Sequence, residues 1–366
     1  MRRGNRENRF PRGAVLSTPP PYHPAGDGPV ISATLSTAHR ESPEAHGADV
    51  AGAPPPGGGL AHAHAAVLRA LLYYRIFRFP LRGDEVERLS GHAFAGPGEA
   101  ARVLSDLVDR GLAGESDGLY FVGDASQASE RREAERCASG ALPRALRRSR
   151  LIARFPFVRG VALTGTISKG VFRDGDDVDF FVVTAKGRVW ICRTLLMLFK
   201  KVVLLDSHRL FCVNYLVAED ALSIPDRNAF TATEVAWLKP VEGGAAFEAF
   251  FRENPWVSGF LPAWRPDGPL PPPVPSGPVK RLVERLLSGP RGDRLDDRLR
   301  EAISRRNRRR YAHLAETAFE VALRAEKGSS KHHPNHFQER VLARHAEEIR
   351  EFEARHGVRL GEAADA

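Results

Sequence analysis

The stretch Leu163-Thr-Gly-Thr-Ile-Ser-Lys-Gly170, followed after a short gap by Asp176-Asp-Val-Asp-Phe-Phe-Val-Val183, decides how this chain is read. Its first part is a strand end running into a tight glycine turn that carries a hydroxyl and a lysine. Its second part puts Asp177 and Asp179 two residues apart on an apolar strand, where side chains at i and i+2 share one face. Two carboxylates about 7 Å apart along that face can hold divalent cations between them. Carboxylates on so apolar a strand are costly to bury unless paired or metal-bound, and hard oxygen ligands select Mg²⁺ or Mn²⁺. Gly165 lets backbone approach a phosphate closely, Thr166 adds a hydroxyl and Lys169 a positive charge. A phosphate-holding turn beside a metal-holding strand suits phosphoryl or nucleotidyl transfer. The plainer reading of the same residues is a strand-to-helix turn, an exposed turn lysine and an acidic pair that caps backbone amides. Asp174 and Asp176 read as solvated loop acids.

These residues resemble the nucleotidyltransferase superfamily that includes DNA polymerase beta, antibiotic nucleotidyltransferases and minimal nucleotidyltransferases. The family pattern is an apolar residue, Gly, then Gly or Ser, a short spacer, and Asp-apolar-Asp. Gly165 matches the glycine, Thr166 stands where Ser is commonest, Asp177-Val178-Asp179 matches the acidic pair, and Lys169-Gly170 matches a frequent basic-Gly step. The resemblance covers roughly Val158 to Val217. It implies a Mg²⁺-dependent (or Mn²⁺-dependent) enzyme that binds a nucleoside triphosphate and moves NMP to a hydroxyl or phosphate acceptor, releasing pyrophosphate. Asp177 and Asp179 would hold the metals, and Gly165, Thr166 and Lys169 the triphosphate. The family usually takes a third acid from a neighbouring strand. Here that strand, Leu210–Val217, offers Asn214, which cannot serve as a general base. The third acid otherwise comes from Glu219, Asp220 or Glu234. The alternative is a catalytically lapsed nucleotide-binding or DNA-binding regulator on the same fold, or, more remotely, an antitoxin-like partner of a second small chain.

The remaining composition is that of a globular protein. The chain has 366 residues, 42% hydrophobic and 27% charged, with a formal net charge of +9. That excess favours an anionic partner, nucleotide first and nucleic acid second. Cys137, Cys192 and Cys212 show no metal-ligand spacing and read as reduced thiols, which suggests a cytoplasmic protein. No secretory signal is visible, and the most apolar stretch, Val189–Leu205, is broken by Arg193, Lys200 and Lys201, so no membrane span is expected.

Six segments follow along the chain. Residues 1–60, rich in Gly, Pro, Ala and Arg, read as a disordered tail. Residues 61–125 read as a winged-helix-like module. Its helices carry Val67, Leu68, Leu71 and Leu72, then Leu81–Leu89 capped near Asp84, then Val103, Leu104, Leu107 and Val108, and its hairpin turns at Ser116-Asp117-Gly118. Glu99, Asp106 and Asp109 dilute any basic recognition face, so the module serves as a structural cap or a docking unit. Residues 126–157 read as a basic helical linker interrupted near Pro143. Residues 158–264 are the α/β (α+β) nucleotidyltransferase core with a mixed sheet, including a buried helix over Val189–Lys201 and a short helix over Thr231–Leu238 capped at Thr231 or Thr233 with Glu234 in its first turn. Residues 265–278 are a Pro-rich linker, and 279–366 a helical C-terminal region with a long helix over 295–326. The latter includes the charge run Arg305–Arg310 and a solvated polar loop, Ser329–His336. His208 and the cluster Lys331, His332, His333 and His336 read as surface groups.

Overall fold

Apolar residues at helical spacing and runs of β-branched and aromatic residues divide this chain into helices packed around two sheets, one of them mixed. The computed structural model describes residues 60–96, 98–203, 211–266, 268–312, 323–331 and 337–361, all within one unit, Ala53–Ala366. The tail expected over 1–60 lies outside the described residues except for Leu60, as do His208, His332, His333, His336 and residues 313–322; the helix expected over 295–326 ends at Arg310, and 323–326 are not helical.

Helix α1 (His62–Arg75) buries Val67, Leu68, Leu71 and Leu72 on the expected spacing. Strand β1 (Leu81–Arg82) leads straight into α2 (Gly83–Leu89). That helix start is closed by Glu85 and not by Asp84, since Glu85 accepts from the Arg82 backbone N–H at 2.8 Å. Helix α3 (Glu99–Asp109) buries Val103, Leu104 and Leu107. Strands β2 (Gly114–Ser116) and β3 (Leu119–Phe121) form the expected hairpin, with Asp117 at φ 51° and Gly118 at φ 77°. Two positive φ values in a row are what a two-residue Asp-Gly hairpin turn demands. The three strands pair antiparallel in the order β1-β3-β2.

Helix α4 (Ser126–Ala153) departs from the sequence expectation. Pro143 neither breaks it nor starts a second half. The ring and Ser139, whose carbonyl loses its helical donor, both lie on the exposed side, so water can satisfy the freed oxygen. The helix is a strut. Near its start the fully buried Arg131 donates to both carboxylate oxygens of Glu85, at 2.7 and 2.6 Å, and to the Pro80 carbonyl. Its guanidinium lies over the Phe79 ring at 4.1 Å. Near its end Ala145, Ile152 and Ala153 join the core of the second sheet.

That sheet is built from β4 (Val158–Thr164), β5 (Asp179–Thr184), β6 (Cys212–Ala218), β7 (Lys239–Glu242) and β8 (Ser329–Lys331), in the order β7-β4-β5-β6-β8. Only β5 and β6 run parallel; the other neighbours are antiparallel. The intervening helices are α5 (Gly165–Ser168), α6 (Val189–Val203), α7 (Ala229–Ala236), α8 (Gly244–Arg252), α9 (Val257–Phe260), α10 (Pro278–Leu286) and α11 (Pro290–Arg310), and α12 (Phe337–His356) follows β8. Alternation along the strands feeds two cores. Ala162, Phe181, Val183 and Val217 face α8 and the N-terminal helices. Val161, Leu163, Phe180, Val182 and Leu216 face α6 and the end of α4.

Four local expectations are corrected. Helix α6 is buried only in its first half; Met197 and Leu198 are 46% and 56% exposed. Helix α7 is capped by Asn228, which accepts from the Thr231 N–H at 3.0 Å, so Glu234 lies past the first turn. The Pro-rich segment docks, its Pro271 and Pro272 carbonyls accepting from Gly244 and Gly243 at 3.1 and 2.7 Å. Ser329–Lys331, expected as a solvated loop, is an edge strand with Ser330 buried and Lys331 paired to Asp226 at 2.9 Å. Cys137, Cys192 and Cys212 are free thiols, and no described helix is long and apolar enough to cross a membrane.

Arg131→Met would leave Glu85 buried without its bidentate partner, with only Arg82 at 3.8 Å. We expect a loss of about 3–5 kcal/mol, measured as a fall in urea midpoint. Adding Glu85→Gln should recover most of it; a double variant as unstable as the single one would show that the pair does not hold the strut.

Candidate functional site

The end of the mixed sheet where β4 finishes and β5 and β6 begin gathers the motif residues. In the antiparallel β4–β5 ladder Thr164 lies opposite Asp179, and in the parallel β5–β6 ladder Asp179 lies opposite Cys212. Gly165, the residue after β4, takes φ +70°, and a Cβ built there would stand 2.7 Å from Asp179 Oδ2. The turn therefore lies directly against the carboxylate, a contact that only glycine permits. The backbone then coils into the short α5, whose first N–H groups have no acceptors within the helix. Among the described residues the Thr166 hydroxyl has no partner, while Ser168 turns its own back to the Gly165 carbonyl at 2.9 Å.

Asp179 is the perturbed group of the site. Burial pushes its pKa up to about 7, and the nearby charges of Asp177 and Glu234 push the same way, against hydrogen bonds from Cys212 and Asn214. Asn214 Nδ2 donates to Asp179 Oδ1 at 2.5 Å, and the Cys212 thiol donates to Asn214 Oδ1 at 2.9 Å. Burial, with Asp179 close by, pushes that thiol itself up to about 12, so it stays protonated and acts as a donor. The relay leaves Oδ2 as the oxygen turned to the glycine turn.

Asn214 owes its position to a bulge. Phe180 pairs with Val213 but Phe181 pairs with Tyr215, so the ladder skips Asn214. The skipped residue re-phases the strand, and Tyr215 and Val217 join the core that contains Phe181 and Val183.

Of the three carboxylates considered as a third acid, Glu219 and Asp220 are ruled out by place. They follow β6 at the opposite end of the sheet, where the Glu219 N–H donates to the Thr184 carbonyl at 2.8 Å and Asp220 approaches Lys186. Glu234 comes near through Lys169, whose ammonium bridges Glu234 at 2.9 Å and the Gly165 carbonyl at 3.2 Å. Lys169 is thus held at the turn with its charge already balanced. Asp177 is partly buried in the loop that enters β5. Among the described residues no group of three or more His, Cys, Asp or Glu is arranged to hold a metal. Asp177 and Asp179 would offer a cation two carboxylates and no third, and the bare Gly165 lets the Asp179 carboxylate lie where a Cβ would otherwise stand. Lys331 is committed to Asp226, and Arg305–Arg310 lie on α11.

Comparison with protein-family models, with curated proteins and with solved structures gives no match for this chain.

Two outcomes follow from the geometry. Gly165→Ala should cost about 2 kcal/mol or more, from the positive φ and the clash with Asp179, read by thermal denaturation. For Asp179 the carboxyl value of 3.8 becomes about 7 in the fold. Between those values the folded state holds the extra proton, so the metal-free protein loses stability as pH rises from about 4 to about 7 and does not regain it above. Asp179→Asn should therefore exceed wild type in stability by roughly 1–3 kcal/mol above pH 7, the gap closing towards pH 4, in chelator-treated samples. A gap independent of pH would refute the assignment.

Proposed function

We propose that this end of the sheet is a nucleotidyltransferase site. It would bind a nucleoside triphosphate with Mg²⁺ or Mn²⁺ and transfer NMP to a hydroxyl or phosphate acceptor, releasing pyrophosphate. The observation that carries the reading is the β4–β5 register, which sets the Gly165 turn against Asp179 with Asp177 just ahead of it in the chain. Asp179, half-buried and with its charge disfavoured by desolvation, is a carboxylate suited to a counter-charge.

In this reading Asp177 and Asp179 hold the divalent ion, which supplies charge neutralisation at the attacked phosphorus. Asn214 holds Oδ1 of Asp179 and so fixes how the carboxylate is turned. The Gly165 and Thr166 N–H groups and the Thr166 hydroxyl bind β- and γ-phosphate oxygens. Lys169 leaves Glu234 for the triphosphate. Glu234, released, would take the proton of the acceptor hydroxyl. The N-terminal module, with α1, β1, α2, α3 and the β2–β3 hairpin in sequence, acts as a cap in the manner of a winged-helix-like unit. Its α1 packs on α7 and α12 through pairs such as Trp237 Nε1 donating to Tyr74 Oη at 2.7 Å.

A second reading, a catalytically lapsed nucleotide-binding or DNA-binding regulator, is favoured by one observation: the strand position next to Asp179 carries an amide that donates to it where a third carboxylate would ligate.

The test is calorimetric titration of the full chain with each NTP in Mg²⁺, beside Asp177→Ala/Asp179→Ala. Metal-dependent binding weakened at least about tenfold in the variant, roughly 1.4 kcal/mol, supports the site. No binding of any NTP by wild type sinks it. Slow pyrophosphate release that falls a further hundredfold or so in Glu234→Gln separates the enzyme from the lapsed form.

A further inference from the structure

Helix α10 sits on the body of the protein with its polarity inverted. Two of its charged residues face inward. Lys280 is 5% exposed and donates to the Ala153 and Val158 carbonyls, each at 2.9 Å. Glu284 accepts from the Phe157 N–H at 2.6 Å and from Arg159 at 2.9 Å. Its apolar residues face out, with Val279, Leu282 and Leu286 at 71%, 58% and 66% exposure. Their i, i+3, i+7 spacing makes one stripe. A groove would shield such side chains, so exposures above one half describe a ridge. Arg281 and Arg285 run along one side of that stripe.

The elbow into α11 is pinned. Buried Arg188 donates to the Leu287 and Gly289 carbonyls at 3.0 and 3.2 Å and pairs with Asp293 at 2.6 Å. Just past the elbow Arg291, Arg294, Leu295 and Arg298 line an open groove of about 340 Å³. Among the described residues none of the exposed arginines of α10 and the first turns of α11, at 281, 285, 291, 294 and 298, has an acidic partner.

The charge pattern selects the occupant. A second copy of the chain laid on this face would set arginines against arginines. A nucleic acid would use the arginines and leave the leucine ridge in water. An anionic bilayer surface takes both, because apolar side chains enter the boundary between headgroups and acyl chains while guanidinium groups bind the phosphates above it. We propose that α10 and the first turns of α11 are a docking element for an anionic membrane surface, lying on the bilayer without crossing it.

The test is co-sedimentation of the full chain with vesicles of phosphatidylcholine alone and with one part phosphatidylglycerol to two parts phosphatidylcholine. Binding should need the anionic lipid and weaken in high salt. Leu282→Ser/Leu286→Ser and Arg281→Ser/Arg285→Ser should each lower the partition coefficient at least about tenfold. All four side chains are exposed, so thermal melting should show both variants folded. The proposal is overturned by any of three results: wild type that ignores anionic vesicles, variants that bind as wild type does, or a Leu282/Leu286 ridge whose loss dissociates a dimer and leaves vesicle binding unchanged.

Discussion

A side chain at position 165 has nowhere to go. The carboxylate of Asp179 occupies the space that a Cβ would take, and the backbone there has the left-handed φ that glycine tolerates best. This one contact depends on the antiparallel pairing of β4 with β5, and the rest of the site depends on the contact. It sets the turn, the acidic strand and the amide of Asn214 at one end of the sheet, and it places the carboxylate where water cannot easily solvate it. The cost of that burial appears as the raised pKa of Asp179. Destabilised groups of this kind persist where surrounding structure over-determines them, and they concentrate at sites of function.

The sheet end is supported from two sides. Arg131 ties the strut α4 to the N-terminal module through Glu85, while the last turns of the same helix lie in the core beneath β4 and β5. On the other side Asp296 of α11 accepts from the Trp190 and Ile191 N–H groups and so caps α6, the helix that carries the chain from β5 across to the parallel β6. Both supports are buried acidic groups that meet helix or arginine donors, which fixes direction more strictly than apolar packing would.

The motif end of the fold was readable because its information is local. A glycine turn and two aspartates at i and i+2 lie within a short run, and the Asp-Gly hairpin and the heptad-like spacing of α1 are equally short-range. What escaped was non-local. Asn214 could be placed on a strand, but the bulge that aims it arises from pairing with Phe180 and Phe181. Glu234 was one of several candidate acids until the fold brought it to Lys169, far away in the chain. Pro143 should stop a helix, and tertiary packing on both sides of α4 overrides that local preference. Ser329–Lys331 has no strand composition; it extends because the edge of β6 offers it a ladder. The inward-facing polar side of α10 runs against the usual expectation for an amphipathic helix, which is why its hydrophobic spacing alone could not tell which face is buried.

The bulge at Asn214 separates the site from the packing of the two cores. Upstream of it, Val213 keeps step with Phe180; downstream, Leu216 and Ala218 pack with the α6 core and Tyr215 and Val217 with the other. Deleting Asn214 would leave those partners in step, Val213 with Phe180 and Tyr215 with Phe181, and would simply close the bulge, so neither core requires the extra residue. The extra residue serves the site and not the packing: it sets an amide against the Asp179 carboxylate. A lineage could retune the carboxylate beside it by changing or losing this one residue, while the register of both cores stays as it is.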